Sequence, residues 1–186
     1  MITTIYAVNS VGAFGNRDGS LPWPKNSEDL QRFAFLTKNI GTVLMGKSTY
    51  NSLVARHPNQ LDIHLPLKDR NALVLTSKLP CGQPIEFGEM VSYKVDGKDV
   101  HFLHHETHMA IKLAERFYNS VAVIGGAGII GESLAISNEV YVTVLDSDEQ
   151  ADIMTDFEMP LCLNLAYFEK LRNGTGATYH YIEGLS

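Results

Sequence analysis

The stretch Val121-Ala-Val-Ile-Gly-Gly-Ala-Gly-Ile-Ile-Gly131 carries the densest chemical signal in the sequence. Gly126, Gly128 and Gly131 spell G-x-G-x-x-G behind an apolar run, and a second apolar run ends at Asp146. A strand, a glycine turn open to a pyrophosphate, a helix and a strand ending in an acid make up the Rossmann dinucleotide signature. Position argues against that reading. Such a fingerprint opens the first strand–helix turn of its domain, with further strand–helix units behind it. Here it stands late in the chain, and the remainder reads as a hairpin. A tight strand-to-helix turn with no ligand is the plain alternative.

Other residues invite chemistry. Asp29 falls in the first turn of a predicted helix, where a carboxylate stabilises the helix dipole by ~0.3–1 kcal/mol. It can also accept two parallel N–H bonds. Its neighbour Glu28 points about 100° away round the helix and fits the dipole role better. Gly46-Lys-Ser-Thr49 leaves a strand and opens a helix, where free N–H groups attract phosphate. It lacks the spacer and leading glycine of a P-loop. His101, His104, His105 and His108 suggest a metal, but His105-Glu-Thr-His108 is one residue short of H-E-x-x-H. They read as solvated residues at a strand-to-helix junction, and no metal is expected.

The elements that must hold these residues follow from apolar periodicity. Ile2 to Val8 reads as a strand. Asn9 to Pro24 is loop, with glycines at 12, 15 and 19. Asn26 or Ser27 caps a helix that Gly41 ends. Thr42–Met45 is a buried strand, and Ser48 or Thr49 caps a second helix through Val54. Residues 56–69 are irregular. Asn71–Thr76 is a strand, Pro80 to Lys98 holds turn formers and a small hairpin, and Val100–Leu103 is a strand. Thr107–Tyr118 is an amphipathic helix. Val121–Ile124, a helix of about eight residues and Val140–Leu145 follow. Tyr167–Leu171 and Ala177–Ile182 form an antiparallel hairpin around Asn173-Gly. Strands alternating with helices predict a mostly parallel sheet with an antiparallel edge.

Bulk properties bound the function. A chain of 186 residues is sized for one domain, 1–186, and needs no disulfide or metal staple. A net charge of −6 gives no basic footprint, so nucleic acid is not an expected partner. Cys81 and Cys162 form no spaced framework, which suggests a reducing compartment. No apolar run reaches ~18 residues, so no membrane span is expected. The first residues lack a basic n-region and a long apolar core, so they do not read as a signal peptide. The expectation is a cytoplasmic protein.

Four motifs decide the reading. Gly19-Ser-Leu-Pro-Trp23, Asp29-Leu30-x-x-Phe33, Val43-Leu-Met-Gly46-Lys-Ser-Thr49 and Val123-Ile-Gly-Gly-Ala127 occur in this order. Together they resemble the dihydrofolate reductase family. The resemblance runs from Ile2 to the C-terminal hairpin, with insertions near 56–69 and 82–99. It implies one α/β domain with a mostly parallel central sheet, an antiparallel C-terminal hairpin and flanking helices. It also implies NADPH-dependent reduction of 7,8-dihydrofolate to 5,6,7,8-tetrahydrofolate. That is a step of one-carbon metabolism and an antifolate target, carried by a monomer.

The resemblance assigns roles residue by residue. Asp29 would hold the amino-pyrimidine edge of the pterin and assist its protonation, with Thr143 bonded to it. Leu21 would shield the hydride-transfer site, and Trp23 would anchor an ordered water. Ile5, Ala7, Leu30, Phe33, Leu53 and Ile124 would wall the pterin and benzoyl parts. Arg70 would grip the substrate's glutamate carboxylate, a task suited to the guanidinium fork. Ala7, Phe14, Gly15, Gly19 and Leu21 would meet the cofactor on one side. Gly46, Lys47, Ser48, Thr49, Thr76, Ser77 and Lys78 would bind its phosphates, the two lysines fitting a 2′-phosphate. Ile124, Gly125, Gly126, Ala127, Gly128, Ile129 and Ile130 would complete its cradle, with a cis bond between Gly125 and Gly126. Many family members carry an aromatic hydroxyl where this chain has Ile130. Two other readings share the features: a pyrimidine reductase of riboflavin synthesis on the same fold, and a non-catalytic folate-binding or structural relative.

Overall fold

The computed structural model describes residues 1–55, 57–59 and 61–184. One sheet runs through it. Its strands are β1 (Ile2–Asn9), β3 (Thr42–Gly46), β4 (Asn71–Leu75), β5 (Met90–Val95), β6 (Lys98–Leu103), β7 (Val121–Gly125), β8 (Glu139–Leu145), β10 (Leu163–Lys170) and β11 (Gly176–Glu183). Their spatial order is β10-β11-β8-β1-β7-β3-β4-β6-β5. The six strands from β8 to β6 are parallel, while β11, β10 and β5 pair antiparallel at the two edges. The expected mixed sheet is therefore present, with a second antiparallel edge at β5. That hairpin turns at Asp96-Gly97, both at positive φ, and uses 98–103 as its return strand, later than the sequence placed it.

Four helices cover the sheet: α1 (Ser27–Ile40), α2 (Lys47–Val54), α3 (Thr107–Tyr118) and α4 (Ala127–Leu134). The pleat sends alternate residues to opposite faces. Val43 and Met45 of β3, Ala72 and Val74 of β4, and Ala122 and Ile124 of β7 pack with Phe33, Leu36 and Ile40 of α1 and Tyr50 and Val54 of α2. Leu44, Leu73, Val121 and Val123 face the other way, onto Ala110, Ile111 and Ala114 of α3 and Ile130 and Leu134 of α4. Both faces of the central strands are covered, which is why they read as unbroken apolar runs.

The helix boundaries have local causes. Asn26 caps α1: its Oδ1 accepts the N–H groups of Glu28 and Asp29, each at 3.1 Å. Gly41 ends α1 at φ 83°, returning its N–H to Thr37. Asn26 also donates to the Thr175 hydroxyl at 2.7 Å, tying the start of α1 to the turn before β11. Asn26→Ala removes both links, so thermal unfolding of the variant is expected to show about 1–2 kcal/mol lost. An unchanged melting temperature would mean that the cap holds nothing. Helix α2 departs from expectation. It starts at Lys47 behind Gly46, with no side-chain cap, and Ser48 and Thr49 lie inside it. The Thr49 hydroxyl instead accepts the Gly126 N–H at the start of α4.

A small ribbon outside the main sheet has no counterpart in the sequence reading. β2 (Ala13–Gly15) pairs with β9 (Ile153–Met154), and Asn9 braces it through its side chain to Ala13 N–H (2.8 Å) and Glu149 C=O (2.7 Å). It fastens the glycine-rich loop of 12–24 to a segment 140 residues away.

Candidate active site

A cleft of about 530 Å³ opens at the C-terminal ends of β1, β7 and β8, walled by α1, α2 and the loop before α1. Strand β1 lies between β7 and β8, where the chain's connections diverge to either side, a favoured ligand position in open α/β sheets. β7 bulges there: Leu44 and Met45 of β3 face Val123 and Gly125, leaving Ile124 as the extra residue. The bulge turns the strand end away from β3 and leads into the glycine turn.

Asp29 is the carboxylate among the described residues of this wall. It sits half-buried in the first turn of α1. Burial pushes its carboxyl above the usual carboxylate range, while a hydrogen bond with the Thr143 hydroxyl and the charge of Arg32 pull it back. Thr143 is held between Ala7 of β1 and Thr178 of β11, and is 4% exposed. Its hydroxyl lies 3.4 Å from that of Thr178. A threonine in the middle of a strand thus faces a carboxylate on a helix.

Ile5, Ala7, Leu30, Phe33, Leu53 and Ile124 line the same cleft. Trp23 is buried on Leu145 and Leu171 and reaches the cleft, while Leu21 stands half exposed at its rim. Phe14, Gly15 and Gly19 enter the wall from the glycine-rich loop. Gly19 has two reasons to be glycine. Its φ is +86°, and an added Cβ would lie 1.9 Å from Ser52 Oγ of α2. Gly19→Ala must push the loop off α2. The expected result is an activity loss of tenfold or more with little change in melting temperature, read from steady-state rates beside a thermal melt.

The glycine turn of 125–126 packs against α2. An added Cβ on Gly125 would meet Thr49 Oγ1 at 2.6 Å, and the Gly126 N–H donates to that same oxygen at 3.1 Å. All peptide bonds of the described residues are trans, so the expected cis bond at this turn is corrected. Beside Gly126 and Gly128 there is open space, with nothing within 4 Å of an added Cβ. Helices α2 and α4 both begin at glycines that make no side-chain cap bond. Bare N–H groups beside open space suit the phosphates of a dinucleotide.

Some expected residues lie elsewhere. Ile130 is fully buried in the core between α4 and the sheet, so it does not stand in the cleft wall beside a cofactor. One turn of helix carries it to the sheet side. Gly128 and Ile129 also lie outside the wall, and Ile129 packs on Gly46. Lys47, Thr76 and Lys78 gather next to each other: Lys47 Nζ donates to Lys78 C=O at 3.4 Å, and Thr76 Oγ1 bonds that carbonyl at 3.0 Å. Ser77 accepts from Ile85 N–H. This group flanks the cleft without lining it. Arg70 is buried, and its two terminal nitrogens donate to the carbonyls of Lys68 and Ala34, each at 2.8 Å. Asp146 is tied through its N–H to Thr175, away from the glycine turn. The histidines do not converge: His101 bonds Ser92 and Tyr118, while His104 bonds Ile85 C=O.

The wall also contains residues the sequence reading did not single out: Tyr6, Asn16, Arg17, Ser20, Arg32, Leu36, Ser52, Tyr141 and Ile153. Arg32 was discoverable, being three residues beyond Asp29 on one helix face. Ser52 follows Thr49 by the same rule. Ile153 carries no signal at all, since only the β2–β9 ribbon brings it there.

The fold and cleft together define an open α/β protein whose ligand site spans one carboxylate and one glycine turn. The dihydrofolate reductase family profile matches residues 1–162, so the chain belongs to that family. Among curated proteins, none matches it in sequence. The dihydrofolate reductase of Enterococcus faecalis, solved in complex with NADP(H) and RAB-propyl, has the same fold at a TM-score of 0.70. The match covers 99% of this chain and 96% of that one at 19% sequence identity. Strands β10 and β11 lie beyond the matched family span, although they complete the sheet beside Thr143.

Proposed function

We propose that the chain, acting as one domain, reduces 7,8-dihydrofolate to 5,6,7,8-tetrahydrofolate with NADPH as reductant. The observation that carries this reading is Asp29: a half-buried carboxylate in a mostly apolar cleft, beside Thr143 and across from a glycine turn with bare helix N-termini. NADPH, when bound, supplies the hydride. The glycine turn and the openings of α2 and α4 would hold its phosphates, with Lys47, Thr76 and Lys78 at the 2′-phosphate.

The protein's own part is positioning and charge. Asp29 accepts two parallel N–H bonds from the amino-pyrimidine edge, and Thr143 fixes the carboxylate's rotation. The negative charge favours a protonated pterin, and the proton itself arrives through water. Leu21 and Trp23 exclude bulk water from the reacting carbon. Leu30, Phe33 and Leu53 receive the benzoyl part, and Arg70 takes the terminal carboxylate by exchanging a backbone carbonyl for it.

The test follows loss of NADPH absorbance with dihydrofolate, and in parallel with a ribosylamino-pyrimidine. Turnover of dihydrofolate is expected. Turnover of the pyrimidine alone, or binding of dihydrofolate without turnover, overturns the proposal.

A further inference from the structure

Arg32 lines the same cleft as Asp29, one turn further along α1. Its Nη2 is paired with the Glu169 carboxylate of β10. Its Nε is shut from solvent with no hydrogen-bond partner among the described residues. The Arg32 side chain is 23% exposed, against 46–68% for the lysines of the other side-chain ion pairs, and Glu169 is 36% exposed. A guanidinium paired in this way is held on the cleft side of α1, three residues from Asp29. Partly buried there, its charge is screened less than that of a free surface cation.

We propose that the Arg32–Glu169 pair is a positioning device that sets the pH range over which Asp29 stays ionised and takes a protonated aminopyrimidine. This deepens the functional reading above and rests on it for the ligand class. Arg32 supplies the field, and Glu169 both holds Arg32 in place and cancels part of its charge. Glu169 lies past residue 162, outside the matched family span, so the device belongs to this chain's own C-terminal strands.

The other groups around Asp29 are disposed differently. On α1, Glu28 turns away to accept the Arg172 N–H at 2.9 Å. From β8 come Thr143, bonded to Asp29, and Tyr141. From β11 come Thr178 behind Thr143 and His180, stacked on Tyr141 at 4.0 Å between ring centres. Burial holds His180 below the usual histidine range, so it stays neutral near pH 7, while Glu139 of β8 acts on it and on Tyr141. From the loops come Lys25, which shares a smaller recess with Asp29, and Arg17, which lines the cleft but is exposed. Among the described cations facing the cleft, Arg32 is the one held in an ion pair.

The pair allows a test in which two substitutions act in opposite directions. The Asp29 carboxyl carbon is followed by carbon-13 NMR through a pH titration of the free protein, assigned by its absence from Asp29→Asn. Arg32→Gln removes the cation and leaves Glu169 uncompensated, so the Asp29 midpoint rises by about one pH unit. Glu169→Gln keeps an acceptor for Arg32 but deletes its counter-charge, so the midpoint falls. Arg32→Lys stays near the wild-type value. Binding of 2,4-diaminopyrimidine, measured against pH, should lose its acid limb at a higher pH in Arg32→Gln and at a lower pH in Glu169→Gln. Midpoints that move the same way in both variants, or in neither, overturn the proposal. So does an Arg17→Gln variant that reproduces the rise. The titration needs no turnover, so an enzyme inactive on dihydrofolate would defeat the functional reading while leaving this result legible.

Discussion

Asp29→Asn is expected to lower dihydrofolate turnover by about 10²–10⁴-fold at neutral pH, and to raise the melting temperature of the free protein by a few degrees. Both effects come from one charge. Asparagine keeps the size of the side chain and an acceptor for Thr143, but it cannot favour a protonated pterin. The loss should shrink in acid, where the substrate carries its own proton.

The stability gain has a definite sign. Burial raises the Asp29 carboxyl in the folded state. The native protein therefore holds that proton more tightly than the unfolded chain does. Its contribution is most favourable below the unfolded value, near pH 4, and is lost as pH rises through the folded value. At pH 7 the ionised, half-buried carboxylate is a cost to folding, and asparagine removes it. Thermal melts at pH 7 and pH 4 check this: the gain should be largest at pH 7 and fade toward pH 4. Equal turnover of variant and wild type at neutral pH would remove Asp29 from its assigned role, and a lower melting temperature at pH 7 would reverse the linkage.

Gly125→Ala is the second large effect. The new methyl would sit 2.6 Å from Thr49 Oγ1 and 3.0 Å from Thr49 Cγ2. Both partners lie at the ends of packed elements, β7 and α2, so the clash must move a helix, costing about 1–3 kcal/mol. The same shift breaks the Thr49–Gly126 bond and distorts the turn that faces the cleft. We expect a clear drop in melting temperature together with weakened NADPH binding. Thr49→Ala in the same chain should recover part of the stability, because it removes the colliding atoms. A double-mutant cycle measures that coupling. Gly128→Ala provides the contrast. It lies in the first turn of α4 with open space around it, so the fold should be unharmed or slightly steadier. Additive losses in the Gly125–Thr49 cycle would show that the contact is not the cause.

These two predictions differ in how far the sequence could have reached them. Asp29, the helix that carries it and the strand that carries Thr143 were all legible in one dimension. Apolar periodicity marks the strands because both faces of the central sheet are buried, and Asn26 and Gly41 mark α1 because helix ends need particular backbone chemistry. The ordered motifs marked the family for the same reason: each belongs to a single turn or helix start.

What the sequence left undetermined depends on contacts between distant segments. Gly125 reads as a ligand-facing glycine, whereas packing against Thr49 already forbids a side chain there. Ile130 reads as a cofactor neighbour by counting from Gly126, yet the first turn of α4 rotates it into the core. Arg70 reads as a grip for a substrate carboxylate, and in the free protein two backbone carbonyls occupy its fork. Arg32 gained its meaning from Glu169, 137 residues later, through a C-terminal hairpin that lays β11 against Thr143. By itself, the sequence determined the order of the main strands and helices, both ends of α1 and the carboxylate. Tertiary structure alone decided which charges share a buried wall and which glycines have a neighbour. Periodicity and capping are properties of a few consecutive residues, while a contact between two strands or a helix and a strand exists only after the sheet has closed.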